Sequence, residues 1–257
     1  MADGAEDKGN IPTNLRLLMV LEEMASAGVP VTPTEVNREL GLPKPTIHRL
    51  FTTLESEGFI QRDIDGRAYS PGRRLRSLSA GILSSLRIRT ARMAVLNRLA
   101  EEIGETCNIA LPDRDCMLYL DRVETTWPLR IQLPVGTRVP LHCTASGKMY
   151  LSTLSEHHLS SYLRTTPMEK RTEATLIDPD AIMSEMKAIR TQGYSVDNEE
   201  FMEGMIAVGV AIDDADGRLV STLSFHAPVQ RLSLDDALLN LDRLKAAARD
   251  LSSILID

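Results

Sequence analysis

The stretch TPTEVNRELGLPKPTIHRLFTTL, residues 32–54, constrains this chain more than any other, because it spells a helix, a tight turn and a second helix. Thr32, Pro33 and Glu35 form a capping box with proline at the first helical position, so a helix is expected to start at Pro33. Gly41 accepts left-handed backbone and Pro43 cannot continue a helix, which ends it at Leu40. A second helix beginning between Lys44 and Thr46 places Ile47, Leu50, Phe51 and Leu54 on one apolar face. Its other face carries Thr46, His48, Arg49, Thr52 and Thr53. These short or cationic groups can bond base edges and phosphates without holding the helix away from a DNA groove.

Upstream, Leu15, Leu17, Leu18, Leu21 and Met24 recur at near-helical spacing and predict a third helix covering this small core. Downstream, Phe59 and Ile60 lead through the turn Asp65-Gly66 to Tyr69, an alternating run that predicts a β-hairpin wing. Three helices and a hairpin make a winged helix-turn-helix, whose second paired helix enters the major groove. The expected DNA contacts are Lys44, Pro45, Thr46, His48, Arg49, Thr52 and Thr53, with Arg62, Arg67 and Arg73 nearer phosphate. The competing reading is a helical packing domain with no ligand.

The 257 residues suffice for about two domains. Although the chain is acidic overall, with 29 basic and 36 acidic residues, the charge is unevenly distributed. Residues 38–92 hold 11 Lys and Arg against 5 Asp and Glu, a local +6, whereas residues 93–257 hold 16 against 25, or −9. A basic footprint on an acidic body lets one end alone meet phosphate, since screened fields act locally. Cys107, Cys116 and Cys143 show no paired metal spacing, and an odd count without a signal peptide leads us to expect a reducing cytoplasm. No apolar run reaches the roughly 20 residues that span a bilayer.

Residues 1–12 are polar and expected to be disordered, and residues 13–72 form the winged helix-turn-helix. Residues 73–92 are read as a linker, with a helix from Arg73 to Ile88 whose Leu75, Leu78, Ile82 and Leu86 form a stripe suited to a second subunit. A further helix is expected over 90–103. Residues 93–257 alternate strands and helices: strands over 107–111, 117–123, 129–133, 207–212 and 219–225, with helices beginning near Ala145, Pro179 and Ser233. Antiparallel hairpins with flanking helices predict an α+β domain.

Three segments, GLPKPTIHRLFTTLESEGFIQRD, VPLHCTASGKMYL and GYSVDNEEFMEGMIAVGVAIDDADGRLVSTLSFHAP, make the chain resemble the IclR family of bacterial transcription regulators over nearly its whole length. The resemblance implies a winged helix-turn-helix, a linker helix and a GAF-like effector-binding domain. It further implies a dimer or dimer of dimers on palindromic double-stranded operators and a small-molecule effector; separately, no catalytic activity, cofactor or membrane attachment is expected. The family's pocket falls here on Ile131, Ala145, Ser146, Asp197, Met205, Ala207, Ser224 and His226. Ser146, Ile206 and His226 depart from the pattern expected of a carboxylate-binding member.

Ser146, Ser224 and His226 offer donors, and unpaired amides at a helix start near Ala145 favour an anion, while Asp197 attracts a hydroxyl or amine. An organic or aromatic acid satisfies this set, and protonation of His226 near neutrality is expected to strengthen its binding. The alternative is a metal- or thiol-dependent regulator or hydrolase built on His142, Cys143 and His226. A purely structural dimerisation module is a third class.

Overall fold

The computed structural model describes residues 12–63, 66–83, 86–128 and 130–256. The polar terminus over residues 1–12, apart from Pro12, lies outside the described residues, as do Asp65 of the wing turn, Leu129 and the side chain of Leu86. The chain divides into two compact units, residues 1–82 and 83–257.

The first unit contains α1 (Arg16–Ala27), α2 (Pro33–Leu40), α3 (Lys44–Ser56), β1 (Ile60–Arg62), β2 (Tyr69–Pro71) and α4 (Arg73–Leu83). The capping box forms: Thr32 Oγ1 accepts from the Glu35 amide, and the Glu35 carboxylate accepts from the Thr32 amide at 2.7 Å. Gly41 ends α2 with φ 61°. Asn37 then locks the turn, its Nδ2 donating to Leu42 O (2.8 Å) and its Oδ1 accepting from Leu42 N (2.9 Å). The core joins Val20, Met24, Val36, Leu40, Ile47, Phe51, Leu54, Ile60 and Tyr69. The leucine run before it is only partly core, since Leu15 and Leu18 are exposed. Leu17, Val20 and Met24 share one helical face, and Leu15 and Leu18 lie off it.

The second unit contains α5 (Leu86–Ile103), β3 (Thr106–Asp113), β4 (Cys116–Val123), β5 (Arg138–Pro140), α6 (Ala145–Thr153), α7 (Glu156–Thr165), α8 (Pro179–Gln192), β6 (Ser195–Asn198), β7 (Met205–Asp213), β8 (Leu219–Pro228), α9 (Leu234–Leu238) and α10 (Leu241–Ile256). Its six strands form one antiparallel sheet in the order β5-β4-β3-β8-β7-β6. Alternation sends Ile109, Val208, Val210, Leu223 and Phe225 into a core with α5 and α10. The opposite face packs Ala110, Met117 and Tyr119 against α6, α7 and α8.

Two expectations are corrected. Residues 130–134 form no strand, and β5 lies later: Pro128 and Pro134 bracket the segment without donors for a ladder, and Ile131 O accepts from the Arg122 guanidinium instead. Of the helix expected over 73–88, α4 covers Arg73–Leu83 and α5 begins at Leu86, while residues 84 and 85 lie outside the described residues. The helix capped by Ser233 stops at Leu238 and resumes at Leu241. Both α7 and β6 went unpredicted. Even so, the α+β class of the second unit holds, as does the winged helix-turn-helix of the first.

Candidate functional site

Two surfaces carry chemistry, one on each unit. On α3 the apolar face is spent on the core, which turns Lys44, Pro45, His48, Arg49, Thr52 and Thr53 to solvent, with Thr46 half-buried. The side chains of Lys44, His48, Arg49 and Arg73 make no hydrogen bond or ion pair with described residues. Their donors are available to phosphate or base edges. Thr52 and Thr53 donate back to the carbonyls of His48 and Arg49, both at 3.0 Å, so outward they present lone pairs and methyl groups. Arg62, expected near phosphate, is also held within the protein. It braces the wing, with Nε on Glu55 Oε1 (2.9 Å), Nη1 on Gly66 O (2.9 Å) and its guanidinium over the Tyr69 ring. Arg67 is exposed and already engaged within the protein.

In the second unit the sheet face turned toward α6 carries two polar rows. Register aligns Arg122, Asn108, Ser224, Gly209 and Ser195 across β4, β3, β8, β7 and β6. The adjacent row runs Thr106, His226, Ala207 and Asp197. Directly opposed residues share a face, so these side chains converge. At the centre the residues are small for a reason: a Cβ on Gly209 would stand 3.0 Å from Ser195 Oγ and 3.2 Å from the carbonyl carbon of Ala145. Glycine thus lets the first turn of α6 lie on the sheet, held by Ser195 Oγ donating to Ala145 O at 2.6 Å. Thr144 caps α6 through the Gly147 amide (3.1 Å), and the helix geometry leaves the amides of Ala145 and Ser146 without intrahelical acceptors. Met205 extends the β7 face as a half-buried apolar wall.

Sequence reasoning missed Arg122 and Asn108. The Arg122 side chain is only 3 % exposed; its guanidinium donates to Asn108 Oδ1 at 2.7 Å, to Ile131 O, and to Glu124 Oε1 at 3.3 Å. Asn108 Nδ2 in turn meets Ser224 Oγ at 3.3 Å and His226 Nε2 at 2.5 Å. A β-bulge in the β3–β4 ladder hides this network from sequence. Tyr119 opposes Ala110 while Asp121 opposes Ile109, and the extra residue between them turns Arg122 to the site face. Asp121 meanwhile faces α5, where its buried carboxylate pairs with Arg92 at 2.7 Å.

Burial governs the titration here. His226 is pushed down to about 3 by desolvation, with Arg122 adding to it, so it stays neutral at physiological pH. The expectation that its protonation near neutrality would strengthen anion binding is therefore corrected. Asp197, whose Oδ1 accepts from the amides of Glu200 (2.9 Å) and Phe201 (3.2 Å), is raised to about 7 by burial and then by Glu200. It is a carboxyl able to hold a proton at neutral pH.

The metal or thiol alternative finds no support. Cys143 is fully buried, and desolvation pushes its thiol up to about 12, the wrong direction for a nucleophile. His142 Nε2 is bonded to Glu169 O at 3.0 Å, and no group of three or more metal-ligating side chains occurs among the described residues. Trp127 is exposed and lies under the Arg231 guanidinium.

A winged helix-turn-helix joined in one chain to a domain with a polar site on an antiparallel sheet defines a DNA-binding regulator. The chain belongs to the IclR family: residues 15–63 match the IclR helix-turn-helix domain, and residues 80–253 match the C-terminal domain of bacterial transcriptional regulator IclR. It is 34 % identical over 237 residues to the "Probable transcriptional regulator SauR" of Cupriavidus necator, covering 92 % of this chain and 94 % of that one. It is 29 % identical over 229 residues to the "Transcriptional repressor IclR" of Escherichia coli K12, covering 88 % and 84 %. In structure it is similar to an IclR homolog from Microbacterium hydrocarbonoxydans complexed with 4-hydroxybenzoate, with a TM-score of 0.61 at 23 % identity, covering 95 % and 99 %. No helix among the described residues is long and apolar enough to cross a membrane.

Proposed function

We propose that this protein is a cytoplasmic repressor whose affinity for a palindromic operator is set by a small organic or aromatic acid held on the second unit. The observation that carries this reading is the pair of polar rows under the first turn of α6, where Ser224, His226, Ser146 and the α6 amides gather donors around the small residues Ala207 and Gly209. Asp197 stands at the edge of the same rows, and Ile131 and Met205 supply apolar walls. The likeness to a homolog complexed with 4-hydroxybenzoate supports an acid as ligand class.

On the DNA side, α3 is the reading helix, with Lys44, Pro45, Thr46, His48, Arg49, Thr52 and Thr53 toward the groove and Arg73 toward phosphate. Arg62 and Arg67 act through the wing. One winged helix reads too few base pairs to stand out in a genome, so a homodimer or dimer of dimers is required. Leu78 and Ile82, both more than half exposed, support the stripe Leu75, Leu78, Ile82 and Leu86 as its seam. Residues 73–92 serve as the linker between a DNA-binding domain over 13–72 and an effector domain over 93–257. The effector must bind one linker arrangement more tightly than another, because equal affinity shifts nothing.

Calorimetric titration of the full chain with a panel of organic and aromatic acids tests this reading. An acid that binds wild type and is lost in Ser224→Ala and Ser146→Ala, with ligand-free DNA binding unchanged, supports it. A panel without heat, alongside binding of a cationic or sugar ligand, overturns it.

A further inference from the structure

The two ring nitrogens of His226 are not equivalent, and the network behind them decides which one carries the proton. A guanidinium can only donate, so Asn108 Oδ1, 2.7 Å from Arg122 Nη1, must be the acceptor and the orientation of the Asn108 amide is fixed. The amide nitrogen is then the atom facing His226 Nε2 at 2.5 Å and Ser224 Oγ at 3.3 Å. Because that nitrogen carries only hydrogens, His226 Nε2 must be bare and accepting, which leaves the single ring proton on Nδ1. Ser224 Oγ likewise spends a lone pair on Asn108 and keeps its own hydrogen for another partner. Neither His226 Nδ1 nor the Ser224 hydroxyl hydrogen has an acceptor among the described residues. The Arg122 guanidinium itself cannot turn away, being held by Ile131 O and Glu124 on its other nitrogens.

We propose that Arg122 and Asn108 are positioning residues that set the polarity of this site, holding His226 as the neutral Nδ1–H tautomer and Ser224 as a donor, so that the recognised ligand group is an acceptor-only anion. This rests on the effector reading of the site given above and deepens it. Such a site binds an anion through oriented neutral dipoles backed by a buried cation, without requiring His226 to take up a proton. Burial and Arg122 both disfavour the imidazolium, which agrees with this arrangement. A carboxylate offers lone pairs to every donor, whereas the matching carboxamide brings N–H groups against them. Discrimination between the two is therefore expected to reach about tenfold or more.

The test uses the full chain with uniformly 15N-labelled histidine. Long-range 1H–15N correlation in the absence of ligand is expected to show His226 with Nδ1 protonated and Nε2 bare. Asn108→Asp replaces the obligate donor with an acceptor, and is expected to move the His226 proton to Nε2. The probes are two matched pairs, 4-hydroxybenzoate with 4-hydroxybenzamide and glycolate with glycolamide. Wild type is expected to prefer the carboxylate of whichever pair binds by about tenfold or more, and Asn108→Asp to lose that preference. A wild-type His226 protonated on Nε2, or on both nitrogens at neutral pH, overturns the proposal even if the variant fails to fold. So does equal binding of carboxylate and amide. If the tautomer and its inversion are observed and neither pair binds, the polarity assignment stands and the effector reading of the site falls instead.

Discussion

Replacing Asp197 with asparagine is expected to stabilise the second unit in a strongly pH-dependent way. The carboxyl is 4 % exposed, and burial reinforced by Glu200 raises it from 3.8 to about 7. A raised acid means that the folded state holds more protons than the unfolded state between pH 4 and 7, so stability falls as pH rises through that window and levels off above it. A shift of about three units corresponds to about 4 kcal/mol of stability forfeited by pH 8. The asparagine side chain would keep an oxygen for the amides of Glu200 and Phe201 and has nothing to ionise. The advantage of Asp197→Asn over wild type should therefore grow by about 1.4 kcal/mol per pH unit from pH 4 to 7, on top of any constant offset. Thermal unfolding of the second unit followed from pH 5 to 8 reads this as a widening gap of about 2–4 °C for each kcal/mol. A gap that stays constant with pH would refute the reasoning, since only a titrating, desolvated Asp197 produces the slope.

Binding of an organic acid should weaken by up to about tenfold per pH unit above 7, because an anion beside Asp197 favours its protonated form; a flat calorimetric profile would place the anion elsewhere. Arg49→Ala should lose about 1–3 kcal/mol of operator affinity by fluorescence anisotropy, and unchanged affinity in both Arg49→Ala and His48→Ala would remove α3 as the reader. Gly209→Ala pushes a methyl against Ser195 Oγ and the backbone of Ala145, and should destabilise the second unit by about 1–3 kcal/mol in chemical denaturation. Thr32→Ala removes the α2 cap and should lower the stability of the first unit by about 1 kcal/mol; no change would deny the cap its role.

Local signals explain what was legible in the sequence. The capping box at Thr32, the break at Gly41 and the apolar face of α3 are each written within a few residues, and all appear in the fold. The strands β3, β4, β7 and β8 carry long alternating or apolar runs and were visible for the same reason. What failed depended on distant partners. The run 129–133 has strand composition, yet its prolines and the claim of Arg122 on Ile131 O keep residues 130–134 out of the sheet. Arg122 reaches the site face because of the bulge between Ile109 and Ala110, and no local pattern announces a bulge. His226 could be singled out as a candidate from sequence, but its neutrality could not, because burial and Arg122 act on it only in the folded chain.

The central claim joins the two units: an acid bound under α6 changes how the chain holds DNA. It is tested most directly by measuring anisotropy of the full chain on DNA from upstream of its own gene, with and without each acid of the panel, in wild type and Ser224→Ala. The account predicts saturable, sequence-specific binding whose affinity shifts severalfold with at least one acid in wild type and does not shift in Ser224→Ala. Specific binding that no acid alters, or an acid effect equally large in Ser224→Ala, would contradict it.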